Sequence, residues 1–281
     1  MNYTQACPIT KLDSLLLATD RSAFSEGAVR EAINFAKKCS SRLTVMSVLE
    51  TNPEYETIGA GAYQKEEEEA IKYLESVKAR AFREGLNTCE TALHYGDDPY
   101  RLIVEEAAGK KADMIIIGRR GRSGVMKMLM GSVAAKVIGH APCKVLVVPR
   151  AARIACRNIL VATDGSEQSL AAAAEAIGIA KRYGTALIAL SSSPSEIEAA
   201  EAKANVKKVV EMARKEGVPV EAATPLGRSH EVIVETAGGR GVDLIVMGAY
   251  GKTGLKKLLM GSSTEKVIGH ASCAVLVVRA Q

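Results

Sequence analysis

The chain repeats itself. LLLATDRSAFSEGAVREAINFAKK, ending at Lys38, returns as ILVATDGSEQSLAAAAEAIGIAKR, ending at Arg182, and Asp20 matches Asp164 at an offset of 144. Downstream, Asp113 to Val148 matches Asp243 to Val278 at an offset of 130, with 21 of 36 positions identical. The second copy is therefore 14 residues shorter in between. Most of that loss falls after the second strand, where NPEYETIGAGAYQ has no counterpart. A repeat this long is a duplicated domain, not a solenoid unit. It places one copy at 1–150 and the other at 155–281, with PRAARIAC from Pro149 to Cys156 as the linker. Two domains of ordinary size fit a chain of 281 residues.

Within each copy, short apolar runs alternate with amphipathic stretches. In the first copy SLLLAT, RLTVMSVLE, TCETALHYG, ADMIIIG and KVLVVP read as strands. Ser22 or Ser25 can cap the helix after the first strand. The Glu66–Glu69 run is expected to open a second helix on a solvated face, with Gly85 closing it. Pro99 suits the first turn of a third helix. Strands separated by helices, with both sheet faces covered, predict an α/β fold of two tandem, doubly wound, five-stranded parallel sheets of Rossmann-like type.

Ligands of open α/β sheets sit at the carboxyl ends of the strands. The first strand ends there in Ala18-Thr19-Asp20, and the fourth in Gly118-Arg119-Arg120-Gly121, followed nine residues later by Gly131-Ser132. The second copy repeats both as Ala162-Thr163-Asp164, and Gly248-Ala249-Tyr250-Gly251 before Gly261-Ser262. Glycines there bring backbone N–H groups close to an oxyanion, and the start of the next helix offers unpaired N–H groups and a positive dipole end. An acidic side chain ending the first strand can accept from ribose hydroxyls or hold a metal ion. Arg119, Arg120, Arg122 and Lys127 in one copy, and Lys252, Lys256 and Lys257 in the other, can neutralise phosphates or form a solvated face.

The pattern G-x2-G-x9-G-[ST] after a strand, the Asp ending the first strand and the final C-x-VLVV strand resemble the ATP-binding branch of the universal stress protein family, twice over nearly the whole chain. The resemblance implies an adenine nucleotide hydrolase-like fold with ATP in each cleft. Ala18, Thr19 and Asp20 would lie by adenine and ribose, with Val48 against the base. Ile117, Gly118, Arg119, Gly121, Gly131, Ser132 and Val133 would hold ribose and phosphates. Ala162, Thr163, Asp164, Met247, Gly248, Gly251, Gly261, Ser262 and Ser263 are the second set. Mg2+ would accompany ATP near Asp20 or Asp164. Ser192 replaces Val48, and the missing segment is expected to leave the second cleft more open, so the first site is expected to bind more tightly. Family members commonly pair through their last strands, so KVLVV and AVLVV are expected to form an intrachain pseudo-dimer, with a homodimer of chains beyond it.

Function is expected to be stress-response signalling in which the nucleotide state sets conformation or an unnamed protein partner. A slow ATPase or autophosphorylating enzyme is an alternative, and so is an interaction protein with vestigial clefts. Against an enzyme, no general base is placed beside the phosphate loop. There is no G-x4-G-K-[ST], G-x-S-x-G or H-E-x-x-H. His140 and His270, repeated in VIGHA, read as helix-end residues; His94 and His230 have no assigned role. The absence of Trp and only three Phe argue against a base-stacking surface, and a net charge of +5 is too weak alone to imply nucleic acid, so none is expected as a partner. No run is apolar enough to span a membrane and the N-terminus lacks a signal pattern. A cytoplasmic protein with six reduced, scattered cysteines is expected.

Overall fold

A computed structural model describes residues 12–51, 60–121, 130–252 and 260–280. Arg122 and Lys127, like Lys256 and Lys257, lie outside them. The first half runs β1 (Ser14–Ala18), α1 (Glu26–Cys39), β2 (Arg42–Leu49), α2 (Ala60–Arg83), β3 (Cys89–Tyr95), α3 (Pro99–Gly109), β4 (Met114–Gly118), α4 (Ser132–His140) and β5 (Lys144–Val148). The second runs β6 (Ile159–Ala162), α5 (Glu167–Tyr183), β7 (Leu187–Leu190), α6 (Ala199–Lys215), β8 (Val220–Ala223), α7 (Ser229–Gly239), β9 (Leu244–Gly248), α8 (Ser262–His270) and β10 (Ala274–Val278).

Each half is a parallel sheet whose strands lie in the same order, the third beside the second, first, fourth and fifth. The two sheets are one. β5 and β10 pair antiparallel, Val147 opposite Val275 and Leu146 opposite Leu276, which produces a continuous ten-stranded sheet. The pairing of KVLVV with AVLVV is therefore present within the chain. Strands that bury both faces read as unbroken apolar runs, and β1, β4, β9 and β10 are buried at every position.

Alternation along the strands divides the core into two layers. Leu15, Leu17, Ile116 and Leu146 face α1 and α2, in one cluster with Leu276 and the buried faces of α5 and α6. Leu16, Ile115, Val145 and Val147 face α3 and α4, in one cluster with Val275, Val277, α7 and α8. Both layers run without interruption from one half into the other.

Local details modify the expectations. Ser22 caps a short 3-10 helix at Ala23–Ser25, and Ser25 makes no side-chain cap for α1. α2 begins at Ala60, so Glu66–Glu69 lies inside the helix and does not open it. α1 ends on Ser40 in the left-handed region (φ 54), where α5 ends on Gly184 (φ 63). Cys89, Cys143, Cys156 and Cys273 are free, whereas Cys39 is disulfide-bonded, which corrects the expectation of six reduced thiols. Burial separates them: it pushes the Cys89 and Cys273 thiols up to about 11 and those of Cys143 and Cys156 to about 12, whereas Cys39 ends α1 only partly buried. No described helix is long and apolar enough to cross a membrane.

Two outcomes follow from this architecture. Leu276→Ala is expected to cost roughly 2–5 kcal/mol in denaturant unfolding, with the chain still melting in one transition because both core layers cross the seam; two separated transitions would contradict a shared core. Ser40→Gly is expected to stabilise by about 1 kcal/mol, since an L residue at positive φ is disfavoured and glycine is not, as a shift of the urea midpoint would show.

Candidate functional site

Two cavities open at the carboxyl ends of the strands, one in each half. The first has a volume of about 620 Å3 and the second about 410 Å3. The first is lined by Ala18, Thr19 and Asp20 from the end of β1, Val48 from β2, and Ile117, Gly118, Arg119 and Gly121 from the end of β4. Gly131, Ser132 and Val133 from the start of α4 complete the sequence-predicted set. The second is lined by Ala162, Thr163, Asp164, Met247, Gly248, Gly251, Gly261, Ser262 and Ser263. Residues far apart in sequence thus converge on one cavity in each half.

The glycine segments are closed by backbone bonds. Gly131 N–H donates to the Arg119 carbonyl and Gly261 N–H to the Ala249 carbonyl, each at 2.9 Å. α4 and α8 both start on glycines in extended conformation with no side-chain cap, which leaves the first N–H groups of each helix facing the cavity mouth. The acidic end of the first strand is held by its own turn. Asp20 Oδ1 accepts from the Ser22 N–H at 3.1 Å and hydroxyl at 2.8 Å. Asp164 Oδ1 accepts likewise from Ser166, and its Oδ2 accepts the Lys252 N–H at 2.7 Å. That last contact explains Gly251, because a Cβ there would fall on the Asp164 carboxylate. Burial alone would raise the Asp164 carboxyl; the hydrogen bonds from Ser166, Lys252 and Ser169 outweigh it and hold the group below its ordinary value.

The remaining walls were not legible in the sequence. In the first cleft Glu66 and Glu69 of α2 line the cavity, and Arg21 forms an ion pair with Glu66 at 3.0 Å, only 11% of its side chain exposed. The solvated-face reading is corrected for Glu66, while Glu68 and Glu69 are exposed as expected. Arg21 stands at φ 68, where the second copy has Gly165 at φ 77. Arg119 lines the first cleft, and its guanidinium crosses the seam to donate to the Ala271 carbonyl at 2.7 Å. Burial, with Arg120 nearby, lowers its pKa. Two polar groups lining this cleft are buried with no partner among the described residues, Ser47 Oγ and Arg120 Nε. A ligand with hydrogen-bonding groups would satisfy both.

In the second cleft α6 supplies the corresponding wall. Asn205 is buried against the Asp164 turn, and Lys252 Nζ pairs with Glu201 across the mouth. The shorter connection therefore does not enlarge this cleft. His140 and His270 end α4 and α8, their Nδ1 atoms bonded to the Lys136 and Lys266 carbonyls, and line neither cavity. Among the described residues no group of three His, Cys, Asp or Glu could hold a metal ion by itself.

The sequence model described as the universal stress protein family matches residues 11–149 and again 155–279. A universal stress protein of Methanocaldococcus jannaschii is 40% identical over 44% of this chain and 82% of its own length. The crystal structure of a universal stress protein from Archaeoglobus fulgidus superposes with a TM-score of 0.77 at 24% identity, covering 99% of this chain and 97% of that one. A functionally unknown protein of Pseudomonas aeruginosa has the same fold, with a TM-score of 0.68 at 19% identity over 99% of this chain and 95% of its own.

The depressed Asp164 carboxyl stabilises the fold above the ordinary carboxylate range, and that contribution is lost as pH falls through its lowered folded value. Asp164→Asn is therefore expected to unfold at lower urea than the parent at pH 7, with the gap closing towards pH 3, as equilibrium melts across that range will show.

Proposed function

The chain belongs to the universal stress protein family, and on that premise we propose that it is an ATP-binding signalling protein of the stress response whose nucleotide state sets its conformation or its protein partner. The observation that carries this reading is the convergence of the Asp20 turn and the Gly118–Gly121 and Gly131–Ser132 segments on one cavity of about 620 Å3. That is ordinary ligand size. The chemistry of the lining fits the parts of ATP. Val48, Ile103 and Ile117 offer apolar surface to a base, Asp20 offers a carboxylate to ribose hydroxyls, and the N-terminus of α4 with Arg120 offers donors to phosphates. Mg2+ would arrive with the phosphates, and Asp20 is the carboxylate of the first cleft that could help hold it.

The binding units are the copies 1–150 and 155–281. The β5–β10 seam occupies the strand edge through which family members commonly pair, so a homodimer of this chain would use a different face. Binding is favoured over turnover. Repeated ADP release per chain, abolished by Asp20→Ala, would reverse that preference.

Denaturing the purified chain and identifying the released nucleotide tests the reading. At least one ATP per chain, or a rise in melting temperature on adding ATP with Mg2+, is expected; neither would sink it. Val48→Ser removes apolar surface worth roughly 1.5 kcal/mol when buried and is expected to weaken ATP about 10-fold in isothermal titration.

A further inference from the structure

The two clefts differ most where the first offers apolar surface. Val48 and Pro99, which line the first cleft, correspond to Ser192 and Ser229 of the second, and the buried Leu49 to Ser193, by the offsets of 144 and 130 that relate the copies. The first two changes act together. Ser192 Oγ donates to Ser229 Oγ at 2.8 Å, bridging β7 and α7 where the first copy has Val48 and Pro99. Ser193 lines the cleft, is 2% exposed, and its hydroxyl is buried with no partner among the described residues. A desolvated hydroxyl without a partner is unfavourable, and one in a cavity wall is satisfied by a ligand that can hydrogen-bond. An apolar ring face stacked on it could not satisfy it, whereas a sugar hydroxyl can.

At the other end the second cleft keeps its anion features: the uncapped start of α8 and the hydroxyls of Ser262 and Ser263. Two of the three carboxylates that line the cleft are occupied, and the third, Glu198, is exposed to solvent. Asp164 accepts from Ser166 and the Lys252 N–H, and Glu201 is paired with Lys252 Nζ. The volume is about 410 Å3 against about 620 Å3 in the first cleft.

We propose that the second cleft binds a sugar phosphate, its hydroxyls against the serine end and its phosphate at the start of α8, and does not bind an adenine nucleotide. The inference shares with the proposed function only the premise that the clefts are ligand sites.

Isothermal titration of the full chain with ribose 5-phosphate, ribose and ATP–Mg2+ tests it. One ribose 5-phosphate per chain is expected, with ribose at least 10-fold weaker. Ser192→Val with Ser193→Leu, the residues of the first copy, is expected to weaken ribose 5-phosphate at least 10-fold and to leave ATP in the first cleft unchanged. Ser229→Ala, at an exposed position that carries no core packing, is expected to weaken it about 5-fold and serves should the double variant not fold. No uptake of ribose 5-phosphate, uptake unaltered in the variants, or two equivalent ATP sites in the parent would each overturn the proposal. Absence of ATP binding together with the expected ribose 5-phosphate behaviour would sink the first-cleft reading and support this one.

Discussion

The antiparallel pairing of β5 with β10 is the contact on which the whole arrangement depends. A parallel sheet ending in an apolar edge strand is exposed to association with other chains. Here each half closes the other's edge. Leu146 and Leu276 enter one core layer, and Val145, Val147, Val275 and Val277 the other. The seam therefore does more than join two finished domains: the fifth strand of each half is an interior strand of the shared sheet. The clefts, at the carboxyl ends of strands running in opposite senses on the two sides of the seam, inherit their relative placement from it.

Around that fixed frame the copies have diverged in ways that trade backbone freedom against side-chain contacts. At the turn after β1, Gly165 takes a left-handed conformation freely, and its lack of a Cβ admits Asn205. Arg21 takes the same conformation at a steric cost, and its guanidinium reaches Glu66 on α2. The first cleft is thus walled by a long ion-paired side chain, and the second by a helix drawn in close. The same local fold accommodates both because the turn itself is fixed by Thr19 and Thr163, whose hydroxyls accept the N–H groups of Arg21 and Gly165.

The fold was legible because its signals are local and most are said twice: buried apolar runs of strand length and glycines before Ser132 and Ser262, with Pro99 at a helix start in the first copy alone. The convergence of Asp20 with Gly118–Gly121 and Gly131–Ser132 was legible from one topological rule, that ligands of such sheets sit at strand ends. What escaped depends on distance. Arg119 bonds Ala271, 152 residues away, and no spacing in the sequence announces it. Glu66 sits in an acidic run of the kind that covers solvated helices, and its ion pair with Arg21 draws it into the cleft wall instead. The disulfide at Cys39 escaped because scattered cysteines carry no pairing signal.

Arg119 bonds the Ala271 carbonyl, and Arg279 bonds the Gly139 carbonyl, so each half sends one arginine into the other. Neither has a twin: Ala249 stands at the position matching Arg119, and Pro149 at the one matching Arg279. In an association of two identical chains about a twofold axis, every interfacial residue appears twice and must suit both of its settings. Duplication within a single chain lifts that condition. Each side of the seam can be tuned separately, and an arginine that touches a cleft on one side need have no echo on the other. The covalent link therefore turns a symmetric contact into an asymmetric one, in which the loop of the first cleft reaches the end of α8 and the return contact comes from a different place, Arg279 beyond β10, to the end of α4.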